Sequence, residues 1–207
     1  EVQRLAQACG AWDEALEVWH RRASGSTETT LEARRRLANW YSGPLRNTER
    51  ALGLLRECVE LDPHHVPTLR LYASLLEAPD PDWFKTLEAL VDCLETGSER
   101  SGYRLRLAST LARYAESVEQ KRRAIFHFER VLDSGRAPRQ ATEGILGVYT
   151  ELGDLDGALE LWAKVDGHFS GRIKSDFAWS LAELAGQVDR LADQADLIQQ
   201  AINAGMQ

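Results

Sequence analysis

Three cysteines, two adjacent histidines and two arginine-bearing turns are the residues of this chain whose types could do chemistry. Cys9, Cys58 and Cys93 would serve redox or zinc work, yet no two of them stand at the short spacing of a zinc site. Cys58 and Cys93 fall at equivalent places in adjacent copies of an internal repeat. Their separation is then about one helix-packing distance, roughly 8 to 10 Å, beyond the roughly 7 Å that a disulfide can span between Cα atoms. All three thiols are expected to be reduced, with Cys58 and Cys93 packed in the core. His64 and His65 follow Asp62-Pro63 in a turn, near Glu60, but the spacing matches no metal motif and a solvated turn is expected. There is no HEXXH helix, no glycine-rich phosphate loop and no GXSXG elbow. No catalytic residue, cofactor or metal is expected.

The arginines give the sharper indication. If Leu37, Ala38 and Tyr41 face a helical core, Arg35 and Asn39 lie one turn apart on the other face, and Arg70 and Ser74 repeat the arrangement. Such a basic stripe in an acidic protein suits one chemistry, the bidentate capture of an anionic group. The alternative is an ordinary solvated arginine face.

The elements that must position these residues are helices. Between Gly10, Ser42-Gly43-Pro44, Asp62-Pro63, Ala78-Pro79-Asp80-Pro81, Gly97, Gly135, Gly153, Gly167 and Gly186, apolar residues recur at three and four spacing, and strand alternation is absent. This predicts about twelve helices, over 1–9, 12–23, 29–42, 47–61, 65–78, 81–96, 99–116, 118–134, 138–152, 155–166, 173–186 and 188–204. Five of them share a pattern: WDEALEVW, TERALGLL, FKTLEALV, RRAIFHFE and LDGALELW align on Ala15, Ala51, Thr86, Ala124 and Ala158, spaced by 36, 35, 38 and 34 residues. One turn on stand Trp19, Leu55, Leu90, Phe128 and Trp162; seven residues on stand Arg22, Cys58, Cys93, Val131 and Val165. A weaker sixth copy is placed on Ala195 with Ile202 seven on, where Gln199 replaces the large apolar residue. A helical hairpin cannot bury its apolar face alone, so small residues let helices approach while Trp19, Phe128 and Trp162 fill the space between successive pairs. Trp12 and Trp83 are expected to pack in the same way.

On these residues the chain resembles the tetratricopeptide repeat family, best in the copy that runs from Ile145 and Tyr149 through Gly153 to Ala158 and Trp162, next in Leu37, Ala38, Tyr41, Ala51, Leu55 and Pro63. The match covers nearly the whole chain and departs at Thr86, between Leu107 and Ala124, and in the last copy. The resemblance implies an all-α fold over 1–207: a right-handed superhelical solenoid of about six antiparallel hairpins, the first truncated, with a concave surface lined mainly by first helices. It implies function by surface presentation. In one subgroup of the family, Lys and Asn from neighbouring first helices clamp a peptide's C-terminal carboxylate. Arg35 with Asn39 echoes one such pair, whereas Leu71 stands where a second polar clamp residue is wanted. With Leu181, Ala182 and Ala185 packed, Trp179 would point to the concave side as an aromatic anchor, or else fold over the solenoid end.

Composition bounds the rest. A chain of 207 residues, 43% hydrophobic, can bury a real core. A net charge of −7 argues against general affinity for nucleic acid. No apolar run approaches the roughly 18 residues of a membrane span, so no membrane insertion is expected of this segment. The chain opens at Glu1 without Met and with what reads as the tail of a helix, so it is expected to be a piece of a longer protein. The expected function is a scaffold that binds a protein or peptide partner, acidic or carboxylate-terminated, in the cytoplasm, or in the periplasm if the full-length protein is exported. The alternative is a structural spacer like those of large bacterial assemblies, including envelope and exopolysaccharide-export scaffolds, an analogy of fold and composition. A third possibility places an enzyme outside this segment, regulated by the repeats.

Overall fold

The computed structural model describes residues 12–22 and 27–206, with side chains from Ala15 in the first stretch and from Glu28 in the second. The expected helix over 1–9, Cys9 and the Trp12 side chain lie outside the described residues. Those described form eleven α-helices, one short 3-10 helix and no strand. The chain divides into two compact units, Glu1–Glu95 and Thr96–Gln207.

The first unit holds α1 (Trp12–Arg22), α2 (Thr27–Ser42), α3 (Thr48–Leu61), α4 (Val66–Leu75) and α5 (Pro81–Cys93). Each helix packs on the next, and α2 also meets α4. The apolar rows explain the pairing: Leu37, Ala38, Ala51, Leu55, Leu69, Leu87 and Leu90 are fully buried. Trp19 meets Trp40 edge-on at 6.2 Å. Helix starts follow side-chain chemistry. Asn47 accepts a hydrogen bond from the Arg50 amide at 3.0 Å, and Asp80 one from the Asp82 amide at 2.7 Å, each satisfying an orphan donor of the first turn. Helix α4 ends at Leu75, short of the expected residue 78: Leu76 is already extended, at φ −78° and ψ 147°, while its amide still donates to the Tyr72 carbonyl at 3.0 Å.

The second unit holds α6 (Ser98–Tyr114), α7 (Val118–Asp133), α8 (Pro138–Leu152), α9 (Leu155–Val165), a 3-10 turn (Asp166–His168), α10 (Gly171–Gln187) and α11 (Leu191–Gly205). Again neighbours pack in sequence, and the alternate helices α6, α8 and α10 touch in turn. The segment TELGDLDGALELW is the clearest hairpin. Gly153 takes a left-handed φ of 66° and closes α8. The Asp154 carboxylate then accepts from the Gly157 amide at 2.9 Å to open α9. Gly157 is required for a second reason: a Cβ there would stand 2.5 Å from the Tyr149 ring. Gly144 does the same between hairpins, since its missing Cβ would meet the Phe128 ring at 2.3 Å. Close backbone approach at Gly, with an aromatic filling the gap, is how these short helices reach interior packing density.

The aligned row holds at its core. Ala51, Ala124 and Ala158 are fully buried, and Trp19, Leu55, Leu90, Phe128 and Trp162 are buried one turn on. It fails at three places. Arg22 is exposed, its guanidinium resting 5.0 Å from the Trp19 ring centroid. Cys93 is only half-buried. The sixth copy is out of register: Ala195 and Ile202 are exposed, and Leu197, Ala201 and Ala204 are the residues α11 turns inward. Helix α11 starts at Leu191 rather than 188 because Asp189, at φ 59°, turns the chain and the Arg190 amide donates back to the Ala185 carbonyl at 2.8 Å. Among the described residues, no helix is long and apolar enough to cross a membrane.

Candidate functional site

Helix α2 presents Arg35 and Asn39, and α4 presents Arg70 and Ser74, each pair one turn apart. Leu37, Ala38 and Tyr41 on α2, with Leu69, Tyr72 and Ala73 on α4, are buried and anchor the two helices side by side. Asn39, Arg70 and Ser74 are exposed, while Arg35 is half-buried. These four residues therefore belong to neighbouring helices of the first unit. Trp179 belongs to α10 of the second unit, where it is 43% exposed beside buried Ala178, Leu181, Ala182 and Ala185.

The stripe is less open than its residue types suggest. The Glu32 carboxylate accepts from Arg35 Nη2 at 2.5 Å and from Arg36 Nε at 2.6 Å. Burial works against ionisation of Glu32, but the hydrogen bonds and charges of Arg36 and Arg35 outweigh it and hold its carboxyl below the usual range. Arg35 Nε is itself buried with no hydrogen-bond partner. Arg34 Nη1 reaches across to Glu57 on α3 at 3.0 Å. The Ser74 hydroxyl donates to the Leu71 carbonyl at 2.7 Å, which turns it back onto its own helix. The spacing of Glu32, three residues before Arg35 and four before Arg36, was the sequence signal for this ion pair.

Cys58 and Cys93 are free thiols. Burial pushes the Cys58 thiol up to about 11, an inert core position. Cys93 differs: its Sγ lies 3.3 Å from His64 Nδ1, so His64 is not simply a solvated turn residue. A Cys–His contact could activate a thiol, yet desolvation, with Asp92 and Asp62 nearby, raises the Cys93 pKa and disfavours the thiolate. Among the described residues, no three His, Cys, Asp or Glu side chains gather so as to hold a metal ion.

Two sets of grooves were not legible beforehand. In the first unit a groove of about 400 Å³ is lined by Arg56, Val59, Leu69, Tyr72, Asp82 and Lys85. Its polar centre is Asp82, which accepts from the Tyr72 hydroxyl and from Arg56 Nη2, both at 3.2 Å, with Lys85 Nζ at 3.8 Å. Burial raises the Tyr72 pKa. In the second unit Phe126 stands 49% exposed between two grooves of about 490 and 520 Å³. The Arg130 guanidinium lies 5.3 Å from its ring centroid. Phe126 sits beside buried Ile125 and two residues before buried Phe128, so periodicity alone does not reveal that it faces out.

Outward from an apolar helical interior the first unit turns polar side chains, and the second unit polar side chains together with the aromatic rings of Tyr114, Phe126 and Trp179. No protein-family model matches the chain, and no curated protein matches it in sequence.

Proposed function

We propose that this chain is a protein-binding scaffold of the tetratricopeptide type, a right-handed solenoid of helical hairpins whose first helices line a concave surface and receive an acidic or carboxylate-terminated segment of a partner protein. It acts by binding, without cofactor and without chemistry of its own. The observation that supports this reading is the pairing on neighbouring helices: Arg35 with Asn39 on α2, and Arg70 with Ser74 on α4, turned away from the buried rows. Each charge-assisted hydrogen bond to a carboxylate contributes about 1.5 to 3 kcal/mol before desolvation is subtracted. A net charge of −7 makes nucleic acid an unsuitable occupant of so small a basic stripe.

One observation favours the second reading, a structural spacer within a large assembly such as a bacterial envelope or export scaffold. Glu32 already engages Arg35 and Arg36, as it would on a solvated helix face. Binding of acidic peptides, with free and with amidated C-termini, separates the two. For the scaffold, anisotropy should show binding that weakens with salt, is lost in the double variant Arg35→Glu/Arg70→Glu, and strengthens in Glu32→Gln, which releases Arg35. Equal behaviour of parent and double variant, with unchanged helical circular dichroism, favours the spacer.

A further inference from the structure

Helix α11 carries two apolar rows, and the second unit uses one. Leu197, Ala201 and Ala204 are buried. On this side the Ser175 hydroxyl of α10 donates to the Ala201 carbonyl at 2.8 Å, and Gln194 covers Gly186. The other row is Leu191, Ala195, Ile198 and Ile202, at spacings of four, three and four residues, with Met206 one turn on. That is the period of a helix–helix seam. Yet Leu191 is 69%, Ile202 43% and Met206 75% exposed, with Ala195 exposed and Ile198 half-buried. Trp179 adjoins this face. It shares the α10 row of Ser175, Ala182 and Gly186, of which Ser175 and Gly186 meet α11. Of the nine large apolar side chains exposed among the described residues, Trp179, Leu191, Ile202 and Met206 make four, so the exposure is concentrated in one hairpin rather than scattered.

We propose that this patch is a self-association surface, covered by a second copy of this chain whose α11 meets it across a two-fold axis. Three features select that occupant. The first is charge. Asp193 is tied to Arg190 at 2.5 Å, and both Asp193 and Asp196 lie off the open row, whose borders are Gln194 and Gln199. Along α11 a charged partner has nothing to grip, and a symmetric pairing centred on that helix brings no like charges together; Asp176 and Glu183, one turn to either side of Trp179 on α10, lie at the edge of the patch. The second is shape: a two-fold contact must fit itself, and a row in which Ala195 stands between Leu191 and Ile198 offers small-against-large layers to its own copy. The third is area. The open apolar side chains expose on the order of 500 Å², near the upper end of what a monomer leaves bare. With their polar rim they approach the roughly 800 Å² that one side of a standard interface buries. This surface lies in the second unit and does not depend on the arginine stripe of the first.

Sedimentation velocity of the 207-residue chain, from about 1 to about 200 μM, tests the proposal. The parent should pass from monomer to dimer with a dissociation constant on the order of micromolar. Ile202→Glu should weaken that association at least about tenfold by placing two desolvated carboxylates in the seam. Val118→Glu, at an exposed apolar site on α7 outside the patch, should associate as the parent does. Both positions, Ile202 and Val118, are open to solvent in the monomer, so circular dichroism should be unchanged, and Ile202→Ser should give the same weakening without added charge. A parent that stays monomeric throughout overturns the proposal and leaves the row to a helix of another partner. Dimerisation of Ile202→Glu at the parent's affinity overturns it as well.

Discussion

Helices α9 and α11 follow the same plan and end differently. Both close a hairpin, α9 on α8 and α11 on α10. Helix α9, however, also packs against α10, and Leu155, Ala158, Leu161, Trp162 and Val165 are all buried in consequence. Helix α11 buries Leu197, Ala201 and Ala204 against its partner and leaves Leu191, Ile202 and Met206 in water. The first unit repeats the contrast: α3 lies between α2 and α4 and buries Cys58 completely, whereas Cys93, at the same place on α5, is half-exposed. A closing helix in this chain is therefore written for two neighbours. Its apolar content shows how many faces need cover, and the packing decides which of them receive it.

The contrast should break most visibly on truncation. Trp162→Ala removes a ring that fills the space between α9 and α10, where Trp162 and Phe177 centroids lie 6.0 Å apart. It should cost about 3 to 5 kcal/mol in urea denaturation at sub-micromolar concentration, where the chain is monomeric, while Ile202→Ala on α11 should there stay within about 0.5 kcal/mol. Similar losses at both sites would mean that α11 is covered as fully as α9.

The cysteines sharpen the same comparison by pH. Because the Cys58 thiol is raised to about 11 in the folded chain, chiefly by burial, its contribution is fully present below the unfolded value of about 9 and is lost as pH rises through 11. The loss should reach on the order of 2 to 3 kcal/mol. Tyr72 and Tyr149, also raised by burial, act in the same direction. The alkaline slope should thus be shallower, not absent, in Cys58→Ala; an unchanged slope would show that Cys58 is not sealed. Cys93, raised in the same direction but only half-buried, should change that slope less when replaced in Cys93→Ala than Cys58 does.

What was legible follows from the same physics. Rows such as Ala124, Phe128 and Val131 can be read from the sequence because one small and two larger apolar residues on one face leave a single way to bury them. The reading fails where a helix has two apolar rows. On α11, Ala195 with Ile202 fits the repeat spacing as well as Leu197 with Ala204, and only contact with α10 chooses between them. At the candidate site the residue pairs are visible from helical spacing, and the i,i+3 spacing of Glu32 to Arg35 makes that contact readable as well, so the stripe is already paired at Arg35. The grooves beside Phe126 and the Asp82 cluster depend on side chains brought together from separate helices, which no local pattern encodes.

The smallest test lies within a single helix, between two glycines three residues apart. At Gly144 a Cβ would stand 2.3 Å from the Phe128 ring, so Gly144→Ala must displace that ring or separate α7 from α8. A cost of about 1 to 3 kcal/mol is expected. At Gly147, also inside α8, nothing lies within 4 Å of where a Cβ would be, and the residue is exposed. There the substitution adds helix propensity without a clash, and Gly147→Ala should stabilise by about 0.5 to 1 kcal/mol. The opposite signs follow from one fact, that α8 buries the side carrying Gly144 against α7 and turns Gly147 outward. Thermal or urea melts of the two variants read this directly. If Gly147→Ala destabilises as Gly144→Ala does, the outward side of α8 is covered too.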